Sequence, residues 1–185
     1  MEFERLPERL QTLISQDDLE RRISELAAEI DRDFAGSDTL ICIGVLKGSV
    51  FFLVDLLKQV KIPVAVDFFQ TASYGGGTTP GEVRIRKDID LSIRGRDVLL
   101  IEDIVDTGYT LRTILDLFKF RGARSVKLCA LLDKEDAREV DVSIDYCGFP
   151  IENLFVVGYG LDLDERYRNL PFIGVIRDGA ENDED

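Results

Sequence analysis

Residues 98–110 read Val98-Leu99-Leu100-Ile101-Glu102-Asp103-Ile104-Val105-Asp106-Thr107-Gly108-Tyr109-Thr110. The apolar run over 97–101 has strand length and no alternation, which suits a strand covered on both faces. Two adjacent carboxylates end it. Two apolar residues follow, and Asp-Thr-Gly-x-Thr opens a helix expected over 110–120, stopped near Gly122. Gly108 permits a tight turn with positive φ. Successive N–H groups in such a turn, at a helix N-terminus, form an anion-binding nest. Thr107 and Thr110 add hydroxyl donors. Backbone amides therefore supply a positive field suited to a phosphate. Glu102 and Asp103 accept only, so they suit sugar hydroxyls or a hydrated Mg²⁺. Phosphate, diol and metal together describe a ribose phosphate. The plainer alternative is a capped strand with a solvated acidic turn and an N-cap at Asp106 or Thr107, but a cap alone does not need three carboxylates in five positions.

The same strand–turn–helix alternation extends outward. Leu19, Ile23, Leu26, Ala27 and Ile30 recur at helical spacing within 15–34. Ser15 with Asp18 three positions on forms a capping-box pattern, and Gly36 is a stop. Residues 40–46 (LICIGVL) are a continuous apolar strand. A helix is expected over 50–59 and a strand over 63–70. A Gly-rich loop and an alternating strand over 83–86 follow. Strands are expected over 125–132, 142–146, 154–157 and 172–176. Strands alternating with helices predict an α/β domain with a largely parallel sheet. Its ligand belongs beyond the carboxyl ends of the strands. The chain reads as one domain over 1–177 with a tail over 178–185 (DGAENDED), which can bury almost nothing.

Composition narrows the chemistry. Lys and Arg number 23 against 36 Asp and Glu, a formal charge of −13. The tail holds five of those acids; without it the charge is −8. General affinity for nucleic acid or anionic membrane needs clustered Lys and Arg, so neither partner is expected. There is no histidine, which removes the Ser-His-Asp triad, the Cys-His pair and His-ligated metals. Acid–base work falls to carboxylates, Lys, Tyr or Cys. Cys42, Cys129 and Cys147 form no C-x-x-C pair. Cys42 and Cys129 lie in apolar runs as small buried hydrophobes, and unpaired thiols fit a cytoplasmic location. The N-terminus lacks a signal-peptide hydrophobic region, and no apolar run is long enough to span a membrane.

The thirteen residues 98–110 resemble the phosphoribosyl-diphosphate (PRPP) signature of type I phosphoribosyltransferases. Residues 40–177 as a whole are similar to the bacterial hypoxanthine–guanine phosphoribosyltransferases. The resemblance implies that fold, with a small hood that binds the base. Aspartate at position 106 matches the 6-oxopurine enzymes, where adenine enzymes carry Ala, orotate enzymes Thr and the pyrimidine-attenuation regulators Tyr. Lys47 and Gly48, in Leu46-Lys47-Gly48-Ser49, match the pyrophosphate loop, where a cis peptide is often found. Ser73 and Tyr74 match the start of a mobile lid. Lys134 matches the lysine that reads the purine 6-oxo group; an ammonium has donors and no acceptor, so it is mismatched with an amino group.

The run 155–162 matches the base-binding segment. There Phe155 stacks on the purine, the Val156 backbone reads its edge, and Asp162 binds a second Mg²⁺. Arg168 meets pyrophosphate, with Arg138 as a minor helper, and Tyr109 contributes its amide. The implied metal set is Glu102, Asp103 and Asp162, with Mg²⁺ as cofactor. The implied reaction moves the phosphoribosyl group of PRPP to N9 of hypoxanthine or guanine, with Asp106 as base for the N7 proton. A homodimer or homotetramer is implied as well. Xanthine–guanine enzymes share the same loop and stay open as an alternative. A PRPP-sensing RNA-binding regulator is disfavoured by Asp106, Lys134 and the charge.

Overall fold

In the computed structural model, which describes residues 10–73 and 83–176, the two apolar runs that anchor the reading lie side by side in a six-stranded sheet. Its strands are β2 (Leu40–Val45), β3 (Val64–Ser73), β4 (Val83–Lys87), β5 (Asp97–Val105), β6 (Ser125–Asp133) and β7 (Tyr146–Pro150), in the order β4-β3-β2-β5-β6-β7. Every pairing is parallel except β3 with β4. A second, antiparallel sheet joins β1 (Leu10–Ile14), β9 (Ile173–Ile176) and β8 (Val156–Val157) in that order and forms the hood.

Both faces of the large sheet are covered, which is why its central strands read as unbroken apolar runs. Cys42, Leu99, Ile101, Cys129 and Leu131 pack against α1 (Gln16–Asp33) and α2 (Val50–Leu57). Their alternates Ile41, Ile43, Val98, Leu100, Leu128 and Ala130 pack against α3 (Tyr109–Phe120). The predicted stripe of α1 is its buried face: Leu19, Ile23, Leu26, Ala27 and Ile30. Ser15 caps that helix by accepting from the Asp18 amide at 3.2 Å. The capping box is not reciprocal in the usual sense. The Ser15 hydroxyl donates to the Asp18 carboxylate at 2.6 Å, so the aspartate satisfies the cap's side chain and not its backbone.

Two expectations need correction, and one strand lies outside the expected set. The signature strand does not end at the carboxylates. Pairing with β6 continues through Ile104↔Leu132 and Val105↔Asp133, because Ile104 and Val105 are apolar and can stay in the sheet. Glu102 and Asp103 are thus inside β5. The strand expected over 142–146 falls instead at Tyr146–Pro150. Val142 and Ile144 alternate like strand residues, yet they pack as a loop into the α3-side core. There Asp145 Oδ2 accepts from the Leu128 amide at 2.8 Å. Finally, β1 carries no sequence signal: only Ile14 in it is buried, and its partner β9 is over 150 residues away. The tail 178–185 lies outside the described residues.

One buried polar group ties the amino ends of the strands together. Asp97 opens β5 and is 8% exposed. It accepts from Arg124 Nε at 2.9 Å and Arg124 Nη2, from Ser125 Oγ at 2.7 Å and from Ser37 Oγ. These bonds, above all those from Arg124, hold its carboxyl well below the usual carboxylate range. An Asp97→Ala protein should lose about 2–3 kcal/mol at neutral pH, in line with charge-assisted hydrogen bonds. A depressed carboxylate stabilises fully above its unfolded pKa of about 3.9 and loses that contribution as pH falls through the lower folded value. Urea titrations of wild type and variant should therefore differ most at pH 5–8 and converge in strong acid.

Candidate active site

The carboxyl ends of β2, β5 and β6 deliver three short segments to one place. After β2, residues 46–49 turn over the end of the sheet, with the Leu46–Lys47 peptide in the cis form. Gly48 is buried, and a Cβ built on it would fall 1.5 Å from Asp103 Oδ2. The Asp103 carboxylate thus occupies the space a side chain at 48 would need. Gly160, with φ +103°, closes from the hood side: its Cβ would lie 2.0 Å from the Gly48 carbonyl. Two glycines and one aspartate from three distant parts of the chain interlock here.

After β5, Asp106 is exposed, Thr107, Tyr109 and Thr110 are partly covered, and Gly108 is buried at φ +91°. The helix cap is Gly108, not Asp106 or Thr107, and no side chain caps the helix. The first helical bond runs from the Arg112 amide to the Gly108 carbonyl at 2.9 Å. The amides of Gly108, Tyr109, Thr110 and Leu111 therefore precede the ladder and have no intrahelical acceptor. This is the expected anion nest, and no acidic side chain stands in the first turn of α3 to oppose an anion there.

The turn is held from the β6 side. The Thr107 carbonyl accepts from the Glu139 amide at 3.0 Å and the Val140 amide at 3.1 Å, and the Lys134 amide donates to the Val105 carbonyl at 3.0 Å. Arg138 donates to the Asp106 carbonyl at 3.1 Å, to the Val142 carbonyl at 3.1 Å and to the Asp133 carboxylate. Arg138 thus braces the loop through all three of its guanidinium nitrogens. Lys134 is 8% exposed, and its ammonium sits 3.9 Å from Asp106 Oδ2.

Glu102 and Asp103 are the electrostatic centre. Glu102 Oε2 is buried with no hydrogen-bond partner among the described residues. Burial first, and the neighbouring Asp103 charge second, push its carboxyl well above the usual range. Burial likewise pushes Asp103 up to about 6, against the pull of the Ile104 amide and of Arg168. Two adjacent carboxylates with an orphaned acceptor fit a hard cation that takes one or two protein oxygens and completes its shell with water and ligand oxygens. Among the described residues no three such ligands form one cluster, and Asp162 is the residue implied for a second Mg²⁺. Asp162 is bound to Arg168 at 2.7 Å and accepts from the Glu165 amide at 2.9 Å.

On the hood, Phe155 is 54% exposed, as a stacking platform requires, and Val156 lies in β8 with its side chain in the core. Arg168 donates to the Gly160 carbonyl at 2.7 Å. Lys47 reaches across to Glu165 at 2.9 Å, a residue the sequence reading passed over. Its left-handed backbone, φ +62° in a turn with neither Gly nor Asn, leaves no mark in the sequence. Ser73 ends β3, whereas Tyr74 lies outside the described residues. A separate cleft of about 580 Å³ between α1, α2 and the hood is lined by Phe51, Asp55 and Tyr159 among others, and by none of Glu102, Asp103, Asp106 or Lys134.

A parallel α/β sheet with an anion nest and paired carboxylates at its carboxyl edge defines a nucleotide- or sugar-phosphate-binding protein. Residues 13–164 match the model of the phosphoribosyl transferase domain, and the chain belongs to that family. It is 50% identical over 167 residues to a hypoxanthine-guanine phosphoribosyltransferase of Streptococcus agalactiae, covering 90% of this chain and 92% of that protein. It is 52% identical over 166 residues to the bifunctional protein TilS/HprT of Listeria monocytogenes, covering 89% of this chain but spanning only 26% of that longer protein. A crystal structure of a hypoxanthine-guanine phosphoribosyltransferase from Bacillus anthracis superposes with a TM-score of 0.87 at 45% identity, covering 90% of this chain and 98% of that one.

The half-buried acid pair carries a stability cost. A carboxyl whose folded pKa is raised destabilises the fold once ionised, so the cost grows as pH rises through about 6 for Asp103. Asp103→Asn should therefore stabilise the protein by roughly 2 kcal/mol at pH 8, with little gain at pH 4. Urea denaturation in the presence of a chelator at the two pH values checks this.

Proposed function

We propose that this chain transfers the 5-phosphoribosyl group from PRPP to N9 of hypoxanthine or guanine, releasing pyrophosphate and forming IMP or GMP in purine salvage. The observation that carries the base assignment is Lys134 beside Asp106 at 3.9 Å, next to the open amides of α3. On a free 6-oxopurine O6 accepts and the adjacent N7 can carry the ring proton, whereas adenine presents an amino donor at the 6 position. A donor-only ammonium matches O6 and an acceptor-only carboxylate matches a proton on N7. The two groups therefore read and prepare the same edge of one ring. Phe155 stacks on the ring face, a contact worth about 1–3 kcal/mol in comparable cases.

The α3 nest, with Thr107 and Thr110, holds the 5-phosphate. Glu102 and Asp103 hold the ribose hydroxyls, and Lys47, the Gly48 backbone and Arg168 hold the diphosphate. As the bond from the anomeric carbon to diphosphate breaks, its electron pair leaves on oxygen and positive charge builds on the sugar. N9 attacks that carbon, and the N7 proton passes to Asp106. Glu102 and Asp103 would also hold a Mg²⁺, which when bound neutralises the leaving diphosphate as a Lewis acid. With Asp162 engaged by Arg168, the metal assignment rests mainly on Glu102 and Asp103.

We further read the chain as a cytoplasmic homodimer or homotetramer acting on small molecules and not on nucleic acid. Free thiols fit a reducing compartment, and no helix among the described residues is long and apolar enough to cross a membrane. Partly exposed Phe51 and Val54 on α2 supply apolar surface for self-association.

Incubation with PRPP and Mg²⁺ and each of hypoxanthine, guanine, xanthine, adenine and uracil, followed by pyrophosphate release, tests the reading. Turnover with hypoxanthine or guanine is expected, and xanthine turnover alone would favour the xanthine–guanine alternative; uracil turnover alone would overturn the reading. Asp106→Asn should lower kcat by about 10²–10⁴-fold, the usual span of general-base catalysis, while PRPP still binds by calorimetry. Undiminished turnover in that variant would remove Asp106 from the mechanism.

A further inference from the structure

Lys47 and Arg168 are the two side-chain cations assigned above to diphosphate. They come from opposite sides of the site, one from the loop after β2 and one from the hood. A single carboxylate joins them. Glu165 Oε1 lies 2.9 Å from Lys47 Nζ, and Glu165 Oε2 lies 3.1 Å from Arg168 Nη2. One oxygen serves each cation, the bridging pattern that a diphosphate anion would itself adopt. The placement is built and not incidental. Leu163 and Arg166 close a tight turn through reciprocal backbone bonds of 3.2 and 3.0 Å. Asp164 and Glu165 in that turn take left-handed backbone, at φ +51° and +62°, a conformation unfavourable for residues with a Cβ. The Asp162 carboxylate fixes the turn by accepting from the Glu165 amide.

We propose that Glu165 is an internal stand-in for the diphosphate. It holds Lys47 toward Arg168, which Asp162 and the Gly160 carbonyl also anchor, when that ligand is absent, gives way when it binds, and returns to speed its release. The inference rests on the phosphoribosyltransferase reading and extends it to the step after chemistry. The exposure of the partners suits an exchangeable contact. The Glu165 and Lys47 side chains are 63% and 55% exposed, and exposed ion pairs are individually weak. A diphosphate carries more charge and displaces the carboxylate, but its affinity is reduced by the contacts it must break. Glu165 is accordingly a positioning residue and takes no part in bond making.

The test is calorimetric titration of pyrophosphate in Mg²⁺ buffer into wild type and Glu165→Gln, at about 50 mM and about 500 mM added salt. The variant should bind pyrophosphate about three- to tenfold more tightly at low salt. The difference should shrink at high salt through screening. In a Lys47→Gln background the Glu165→Gln gain should fall, because one of the two contacts is already gone. Equal or weaker binding by Glu165→Gln, or a gain that persists undiminished with Lys47→Gln, overturns the stand-in role alone. Absence of pyrophosphate binding to either protein overturns the functional reading and this inference with it.

Discussion

The position of β5 between β2 and β6 is the constraint on which the site depends. It pairs with β2 only as far as Gly44↔Ile101 but with β6 as far as Val105↔Asp133. Its last four residues thus project past the end of β2 while still supported on the other side. The 46–49 loop folds into the step so created, and Gly48 lands on Asp103. On the supported side, the residue after β5 and the residue after β6 emerge at one level, which brings Asp106 to Lys134. A shift of register on either side would separate groups that must touch one substrate.

The same step explains an electrostatic contradiction. A protein of charge −13 is read as binding one of the more highly charged small metabolites. Bulk charge does not decide this, because the anion contacts are local: open amides at α3, the Gly48 backbone and two cations. The acidic pair Glu102–Asp103 opposes that affinity unless a cation or the sugar hydroxyls satisfy it. Both carboxyls are pushed up by burial, and Glu102 also by the Asp103 charge; such conflicts cluster where a ligand resolves them. The ligand-free protein carries the cost as lost stability.

How much of this was legible follows from the range of each signal. Two-sided burial writes itself into consecutive residues, so β2 and β5 were plain in LICIGV and DVLLI. Helical periodicity marked α1, and the Asp-Thr-Gly turn marked the nest, because each is local. Tertiary pairings left no such trace. The strand β1 exists by pairing with β9 and has one buried residue. The extension of β5 through two carboxylates contradicts local polarity and is imposed by β6. Arg138 and Glu165 are ordinary charged loop residues until the fold shows what they touch. Gly160 stood in a quoted motif, yet its reason, the Gly48 carbonyl beneath it, is more than a hundred residues away.

These non-local contacts also couple the two halves of the proposed reaction. The lysine proposed to read the base, Lys134, hangs by its amide on the carbonyl of Val105, and the segment it begins grips Thr107 through Glu139 and Val140. Arg138 closes the same circuit by binding both Asp133 and the Asp106 carbonyl. The phosphate turn and the base-reading lysine are therefore one mechanical unit hung from β5 and β6. Such an arrangement fixes the distance between ring and sugar before either binds, which is where orientation lowers a barrier. The diphosphate contacts belong to a different unit, the 46–49 loop clasped to the hood by Gly160 and Glu165. In the proposed reaction bond formation would fall within the first unit and the leaving group would depart through the clasp, so the division of the fold follows the division of the chemistry.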